Sequence, residues 1–421
     1  MKIIHINNFD IKGGAAQACF RISESLNEVG ISSNMLVQKK FGSSKMVASI
    51  AKSPVGNLLT NIRSNLDTVQ MHLFSDRTQG KFSFGNIGVN ISRNKLLRKA
   101  DIINFHWINN GLLSLSTIKN IFALKKPIVW TLHDMWAFTG GCHYNGFCLG
   151  YLESCGNCPA LSHPQTEDAS NKIWKSKKEL YKEANLTIVT CSNWLGAEAR
   201  KSSLLGPKSV HVIPNSIDTS IFKPENQKNI RKKLGLSENK LYILFVAMTV
   251  KDKRKGFHVL IETLNFIYNQ SPQLRDNIEI LILGRVEKEE ESKIPFKTNS
   301  FGRLKAVDTI VNIYNATNVY TSPALQENLS NTVLEALACG TPVVAFNIGG
   351  MPDMIDHKKN GYLAEPYSIK DYARGLLWVL QNGAITEIKE TARDKVVNCF
   401  TKKIIGMEYK ELYNNLLHPS F

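Results

Sequence analysis

The sequence predicts an α/β fold built from two parallel-sheet domains, and three observations lead there. The chain has 421 residues, too many for one ordinary core and enough for two domains of about 200 residues each. Short apolar, β-branched runs alternate with helical stretches in both halves. One of these alternations, over residues 319–346, reads residue by residue as strand, helix and strand.

In the first half, buried strands are expected at 3–6, 102–105, 128–132 and 186–190, interleaved with helices such as 17–29. In the second half the pattern recurs at 242–247, 278–283, 318–321 and 343–346. The junction falls near 216–225, and the polar–apolar pattern of 402–417 suits a terminal helix. There is no short-period repeat and no low-complexity tract. The amino terminus, Met1-Lys2-Ile3-Ile4-His5-Ile6, reads as a strand and not as a signal peptide, and no run approaches the roughly 18 apolar residues of a membrane span. A cytoplasmic location is expected.

The most informative segment is the alternation at 319–346. Val319-Tyr320-Thr321 is a short strand, Ser330 or Asn331 can cap a helix that runs to Cys339, and Gly340 stops it. Pro342 allows only an extended restart into Val343-Val344-Ala345-Phe346. In such a unit ligands bind outside the carboxyl ends of the strands, so Glu327 stands at the mouth and Glu335 about two turns down the helix. The helix amino terminus favours a phosphate, whereas carboxylates bind hydroxyls, so the ligand to look for carries both. The plainer alternative is two surface glutamates near a helix start.

Composition narrows the partners. Lys and Arg total 52 against 36 Asp and Glu, a net charge of +16, so the surface attracts polyanions, anionic lipid heads or pyrophosphates. A nucleic-acid-binding protein is prompted only by this charge and lacks any motif, so no nucleic-acid partner is expected. Along 172–182, Ile173, Trp174, Leu180 and Tyr181 recur at helical spacing among lysines. Such a stripe either docks on a membrane surface or forms a core face with a solvated back.

Three further segments stand where the topology puts ligands. Gly13-Gly14 follows the first strand and opens a helix, letting a backbone approach a ligand closely, though it is not the dinucleotide fingerprint and could equally be a tight turn. Lys251-Asp252-Lys253-Arg254-Lys255-Gly256 sets a cationic run after a strand, readable also as a solvated basic turn. Val129-Trp130-Thr131-Leu132-His133-Asp134 ends a strand in a histidine and an aspartate, and Asn104-Phe105-His106 ends another.

Four of the eight cysteines crowd into one stretch as Cys142, Cys148, Cys155 and Cys158. Disulfides are disfavoured in a cytoplasmic chain, and four thiolates with one Cys-x-x-Cys pair match a closed structural zinc site that would staple this aperiodic loop. Free packed or redox thiols and an iron–sulfur cluster are the alternatives. Cys19, Cys191, Cys339 and Cys399 read as small buried hydrophobes.

The stretch from Glu327 to Val344 resembles the retaining group 1 (family four) glycosyltransferases, whose hallmark is a Glu, seven residues, Glu motif leading into Glu-Ala-x-Ala-x-Gly-x-Pro-Val-Val. The likeness continues through Asn347-Ile348-Gly349-Gly350-Met351-Pro352-Asp353, with Asp353 in place of the commoner Glu, and Asn360-Gly361-Tyr362-Leu363. Upstream, Ile213-Pro214-Asn215-Ser216-Ile217-Asp218 is similar to the family's hinge segment, with Ser216 in place of Gly. The resemblance implies a GT-B fold. Its parts are an acceptor-binding Rossmann-like domain at 1–216 carrying the cysteine cluster, a donor-binding domain at 217–395 facing it across a cleft, and a helix at 396–421 crossing back to the first domain.

The resemblance also implies roles. Glu327 holds the sugar hydroxyls of a nucleotide-diphosphate sugar, UDP- or GDP-linked, with the amides of Asn328 and Leu329 near its phosphate and Glu335 at its ribose. Arg254 and Lys255 stabilise the departing diphosphate in place of a catalytic metal, Gly13 and Gly14 lie beside phosphates and acceptor, and His133 serves the reaction centre with Asp134 as a companion. His106 is expected to shape the acceptor pocket. The activity implied is retaining hexose transfer to a lipid-linked saccharide in exopolysaccharide or O-antigen assembly, with peripheral contact at the inner membrane face. A non-catalytic binding scaffold and a sugar-nucleotide epimerase are the competing readings.

Overall fold

The computed structural model describes residues 1–76, 80–383 and 386–419. They form two compact units, Met1–Ser216 with Lys402–Phe421, and Ile217–Thr401.

The first unit is a seven-stranded, all-parallel sheet of β1 (Lys2–Phe9), β2 (Ser32–Lys39), β3 (Val47–Ser49), β4 (Ile102–Phe105), β5 (Ile128–Leu132), β6 (Leu186–Thr190) and β7 (Ser209–Val212), in the order β3-β2-β1-β4-β5-β6-β7. β4, β5 and β6 are buried throughout, as strands covered on both faces must be. The order reverses between β1 and β4, which opens a crevice beyond the ends of those two strands. The first helix, Gly14–Glu28, begins three residues earlier than periodicity suggested, because Gly13 at φ 99° lets the chain turn directly into it.

The terminal helix Lys402–Leu417 packs within this first unit, against Gly14–Glu28. Gly406 lies so close to the Ser25 carbonyl that a side chain there would collide with it. Tyr409 and Tyr413 are fully buried, and their hydroxyls meet Thr131 at 3.1 Å and Asn104 at 2.8 Å in the sheet. Thr131 Oγ1 also donates to Asn104 Oδ1 at 3.1 Å, so the two tyrosines extend a buried polar network that joins the helix to the sheet.

The helix Ala169–Tyr181 decides the reading of the lysine-rich stripe. Trp174 and Tyr181 are buried in the core under the sheet, Ile173 is buried in a smaller cluster with Phe82, Phe84 and Leu161, and the exposed lysines form the back of the helix. That face is core and is not available to a membrane. A different helix, Pro54–Phe74, shows the reverse arrangement, burying Thr60, Ser64 and Asp67 while eight large apolar side chains face solvent. Among the described residues no helix is long and apolar enough to cross a membrane.

The second unit is a six-stranded parallel sheet of β8 (Leu241–Thr249), β9 (Ile278–Arg285), β10 (Lys297–Ser300), β11 (Val319–Ser322), β12 (Val343–Phe346) and β13 (Gly361–Ala364), ordered β10-β9-β8-β11-β12-β13. Its order reverses between β8 and β11. Gly340 takes φ 71° and ends the helix Asn331–Ala338, as its sequence position implied. Ser330 occupies the N-cap position, but its hydroxyl meets that of Thr332 and caps no backbone N–H.

Candidate functional site

In the second unit, three loops converge at the reversal point. The loop after β8 makes a 3-10 turn at Lys253–Lys255, held by the Asp252 carboxylate on the Arg254 N–H, and then turns at Gly256 with φ 72°. Only glycine fits there, since a Cβ would strike the Pro323 carbonyl oxygen in the loop after β11. The Leu325 N–H donates to the Arg254 carbonyl at 2.8 Å, sewing the two loops together. The loop after β12 joins through Gly349, φ 53°, where a Cβ would strike the Glu327 carbonyl oxygen.

This close packing brings Arg254, Lys255 and Glu327 together. Lys255 Nζ meets Glu327 Oε2, Arg254 Nη1 meets the same oxygen at 3.3 Å, and Arg254 Nη1 also donates to the Gln326 carbonyl at 2.8 Å. Burial alone would raise the Glu327 pKa, but the two cations outweigh it and push it down to about 2. Both cations use Oε2, so Oε1 lies outside the ion pairs. Asp252, at 3.5 Å from Arg254 and 41% exposed, is screened by solvent and offsets the positive charge only weakly. The result is a carboxylate that stays ionised beside two fixed cations, at a strand-end crevice suited to a ligand with hydroxyls and phosphates.

Asn328 and Leu329 are buried directly after Glu327, leading to the helix Asn331–Ala338. Glu335 sits on that helix and accepts the Tyr314 hydroxyl at 3.1 Å. The expected second-unit residues are therefore gathered on adjoining loops and one helix. Sequence reasoning missed Tyr314, Gly256 and Gly349 as supports; a glycine flanking each functional segment was the signal for the last two.

In the first unit, His106 and His133 also come together, as part of a longer chain. His5 Nδ1 lies 2.8 Å from His106 Nε2, His106 Nδ1 lies 3.0 Å from His133 Nε2, and Cys191 Sγ lies 3.6 Å from His133 Nδ1. Burial lowers all three histidine pKa values, His133 to about 4 against the opposing pull of Asp134, and His5 to about 3. All three are thus neutral near pH 7, each able to donate one and accept one hydrogen bond. His5 was missed, although a histidine inside an otherwise apolar strand run was the available signal. His5, Cys19 and His106 also place ligand-capable atoms within 4.8 Å of one another; the ring-to-ring hydrogen bond accounts for the two histidines, and Cys19 is a fully buried thiol next to them.

Asp134 points into a second cluster. Its Oδ2 accepts from Trp107 Nε1 at 2.9 Å and lies 2.6 Å from His143 Nδ1, and its Oδ1 accepts the Trp136 N–H at 3.0 Å. Burial works against ionisation here, yet His143, these donors and Lys81 hold the carboxyl below its usual range. Asp134 therefore orients the loop after β5, beginning at His133. Gly13 and Gly14 lie at the end of β1, beside the same reversal point.

The four clustered cysteines line one small cavity of about 20 Å³ together with Thr139, Gly140 and Tyr151, room for an ion but not for a sugar. The Gly140 N–H donates to Cys155 Sγ at 3.1 Å and the Gly150 N–H to Cys148 Sγ at 3.4 Å. Burial pushes the Cys142 thiol up to about 12 and the Cys155 thiol to about 11. Elsewhere, Cys19, Cys191 and Cys339 are buried as expected, whereas Cys399 is exposed, because it ends the polar helix Thr386–Cys399.

Comparison with known proteins adds the following. Residues 13–221 match the family model "Glycosyltransferase Family 4", and residues 226–395 match "Glycosyl transferases group 1". The chain is 29% identical over 230 residues to the capsular polysaccharide biosynthesis glycosyltransferase CapM of Staphylococcus aureus, covering 53% of this chain and 58% of that one. It is 26% identical over 224 residues to the UDP-Gal:alpha-D-GlcNAc-diphosphoundecaprenol alpha-1,3-galactosyltransferase of Escherichia coli, covering 52% and 57%. These alignments span little more than half the length of the relatives. The structure of Anabaena HepE in complex with UDP-glucose superposes with a TM-score of 0.62 at 16% identity, covering 99% of this chain and 100% of that one, which establishes the GT-B fold. With two complementary family models accounting for nearly all of its length, the chain belongs to the group 1 glycosyltransferases.

Proposed function

We propose that the protein is a retaining hexosyltransferase that moves a sugar from a nucleoside-diphosphate donor to a hydroxyl of a lipid-linked saccharide during cell-surface polysaccharide assembly. The observation that carries this reading is the meeting of Arg254 and Lys255 with Glu327 at the reversal point of the second sheet. Cleavage of the sugar–phosphate bond builds negative charge on the departing diphosphate, and two cations already fixed in place lower that barrier without reorganising. Glu327, ionised at any physiological pH, accepts hydroxyl hydrogens of the sugar through the oxygen its cations leave aside. Glu335 takes the ribose, and the amides of Asn328 and Leu329 face the phosphates.

In this reading Arg254 and Lys255 take over the charge-neutralising role of a divalent cation. The support is their own position together with a sequence that lacks an Asp-x-Asp pair. On the first unit, His133 stands just past the carboxyl end of β5 with its ring held by His106 and Cys191, and serves the acceptor side from there, as Gly13 and Gly14 do from the loop after β1. UDP is favoured as carrier by the names of the galactosyltransferase and of the HepE complex, and a lipid-linked acceptor by the former. Incubating the purified chain with UDP- and GDP-hexoses and a diphosphoundecaprenol-linked sugar tests this. Transfer with retained anomeric configuration, undiminished by chelator, supports it; a product of inverted configuration, or no turnover of any sugar nucleotide, rejects it.

Cys142, Cys148, Cys155 and Cys158 are proposed to hold a structural zinc ion. Their support is a shared cavity of ionic size and backbone N–H donors aimed at two of the sulfurs, which suit thiolate acceptors. With four protein ligands the ion would have no open position and no part in transfer. It would tie the loop that begins at His133 and Asp134 to the helix Ala169–Tyr181, which the Asp168 carboxylate already links to the Cys158 N–H at 2.8 Å.

A further inference from the structure

We propose that Tyr314 is a positioning residue for Glu335, and that the pair selects ribonucleoside diphosphates over their 2′-deoxy counterparts as sugar carriers. The inference rests on the reading of Glu335 as the ribose contact and names the class of carrier that this contact admits. Tyr314 lies on the helix Val307–Ala316, is fully buried, and donates its hydroxyl to Glu335 Oε2 on the helix Asn331–Ala338 at 3.1 Å. Burial and the neighbouring carboxylate raise the pKa of the phenol well above its usual value, so it keeps its proton and remains a donor.

Tyr314 is itself fixed in place. Thr341 Oγ1 donates to the Tyr314 carbonyl at 2.8 Å, and the ring meets that of Tyr320 edge to face with centroids 6.0 Å apart. The Tyr320 hydroxyl, reaching out from β11, lies 2.8 Å from Thr332 Oγ1. Thr332 and Glu335 are three residues apart and so share one face of their helix. Two buried tyrosines therefore fasten that face, one at each residue. A glutamate side chain has three rotatable bonds, and a partly exposed one without such a hold samples many orientations.

The hold on Glu335 sets what a missing hydroxyl costs. A ribose donates its 2′-hydroxyl to the carboxylate. A loose carboxylate would turn to water whenever a ligand lacked that hydroxyl, and the two sugars would bind alike. Tied to Tyr314, Glu335 keeps its aim, so a 2′-deoxyribose sets a C–H where the charged acceptor needs a donor, and the unpaired acceptor is penalised. Because Glu335 is only partly buried, the discrimination is about tenfold and not the far larger factor of a fully enclosed polar site. Uridine, guanosine and adenosine diphosphate sugars satisfy the pair, whereas thymidine diphosphate sugars, built on 2′-deoxyribose, do not.

The experiment is calorimetric titration of the full chain with UDP and with 2′-deoxyuridine diphosphate, for wild type, Tyr314→Phe, Glu335→Ala and the double variant. Wild type is expected to bind UDP at least about tenfold more tightly than the deoxy analogue. Tyr314→Phe removes one oxygen and keeps the ring against Tyr320, and it should cut that preference below about threefold. A merely structural tyrosine would weaken both ligands alike and leave their ratio unchanged. Glu335→Ala, at a partly exposed position that the fold tolerates, should lose the preference as well, and adding Tyr314→Phe to it should alter the ratio no further. Wild type that binds both ligands equally, or either single variant keeping the full preference, overturns the proposal and leaves the diphosphate site at Arg254 and Lys255 standing. Wild type that binds neither ligand overturns the donor-site reading and this proposal with it.

Discussion

Lys255 and Glu327, 72 residues apart in sequence, meet across the reversal point of the second sheet, Nζ against Oε2. Gly256 and Gly349 make the meeting possible, each letting one loop run against the backbone of the loop that carries Glu327. The pair thus depends on backbone shape as much as on charge.

Removing the carboxylate should cost turnover more than folding. Glu327→Gln keeps the volume, and Lys255 and Arg254, 30% and 27% exposed, regain solvation. The expected result is a fall in kcat on the order of 10²- to 10³-fold, as for loss of one preorganised electrostatic contact, with a small change in thermal midpoint. Steady-state kinetics with calorimetry checks it.

The two glycines should be less tolerant than any neighbouring position. Gly349→Ala places a methyl against the Glu327 carbonyl oxygen at a positive φ. A loss of about 2 to 4 kcal/mol is expected from strain and displacement, measured by denaturant unfolding, together with loss of nucleotide binding. Gly302, also at positive φ but with open space around its Cβ position, serves as the milder control.

Stability should fall as pH drops below neutrality. His5, His106 and His133 have folded pKa values below the unfolded value near 6.5, so the unfolded chain binds more protons in this window. Their contribution is complete above about pH 6.5 and is lost as pH falls towards 4, on the order of 3 kcal/mol for His133 alone. Glu327 adds a second loss at lower pH, between its unfolded value near 4.5 and about 2. Urea unfolding at a series of pH values reads both; a flat profile from pH 7 to 4 would contradict the first.

If the clustered cysteines hold zinc, elemental analysis of the purified chain should give one zinc per molecule. Cys148→Ser should release it and lower the thermal midpoint, with KM for donor unchanged. A metal-free chain of full stability and activity counts against the site.

Much of this was legible in the sequence because parallel strands covered on both faces are continuous apolar runs, as Ile102 to Phe105 and Val343 to Phe346 illustrate. Five strands escaped, and four are sheet edges: β10 is Lys-Thr-Asn-Ser, β7 is only partly buried, β3 has three residues and β13 has four, while β2, buried inside the first sheet, opens on Ser-Ser-Asn and so lacks a continuous apolar run. The segment from Glu327 to Phe346 was readable since the helix stop at Gly340 and the extended restart after Pro342 agree locally, although Ser330 stands at the N-cap without capping. Two features lay beyond such reading. Sequence periodicity marks an apolar stripe without saying which way it faces, so the inward stripe of Ala169–Tyr181 and the outward one of Pro54–Phe74 look alike until packed. The histidine chain joins β1, β4 and β5, and such long-range proximity leaves no local pattern.

The central claim is that Arg254 and Lys255 grip a nucleoside diphosphate beside Glu327, and calorimetric titration of the chain with UDP and UDP-glucose tests it most directly. Saturable binding of one nucleotide per chain is predicted, weakened at least about thirtyfold, or some 2 kcal/mol, in an Arg254→Ala, Lys255→Ala variant that remains folded. Equal affinity in that variant, or no binding of uridine, guanosine or adenosine diphosphate to the wild type, would contradict it.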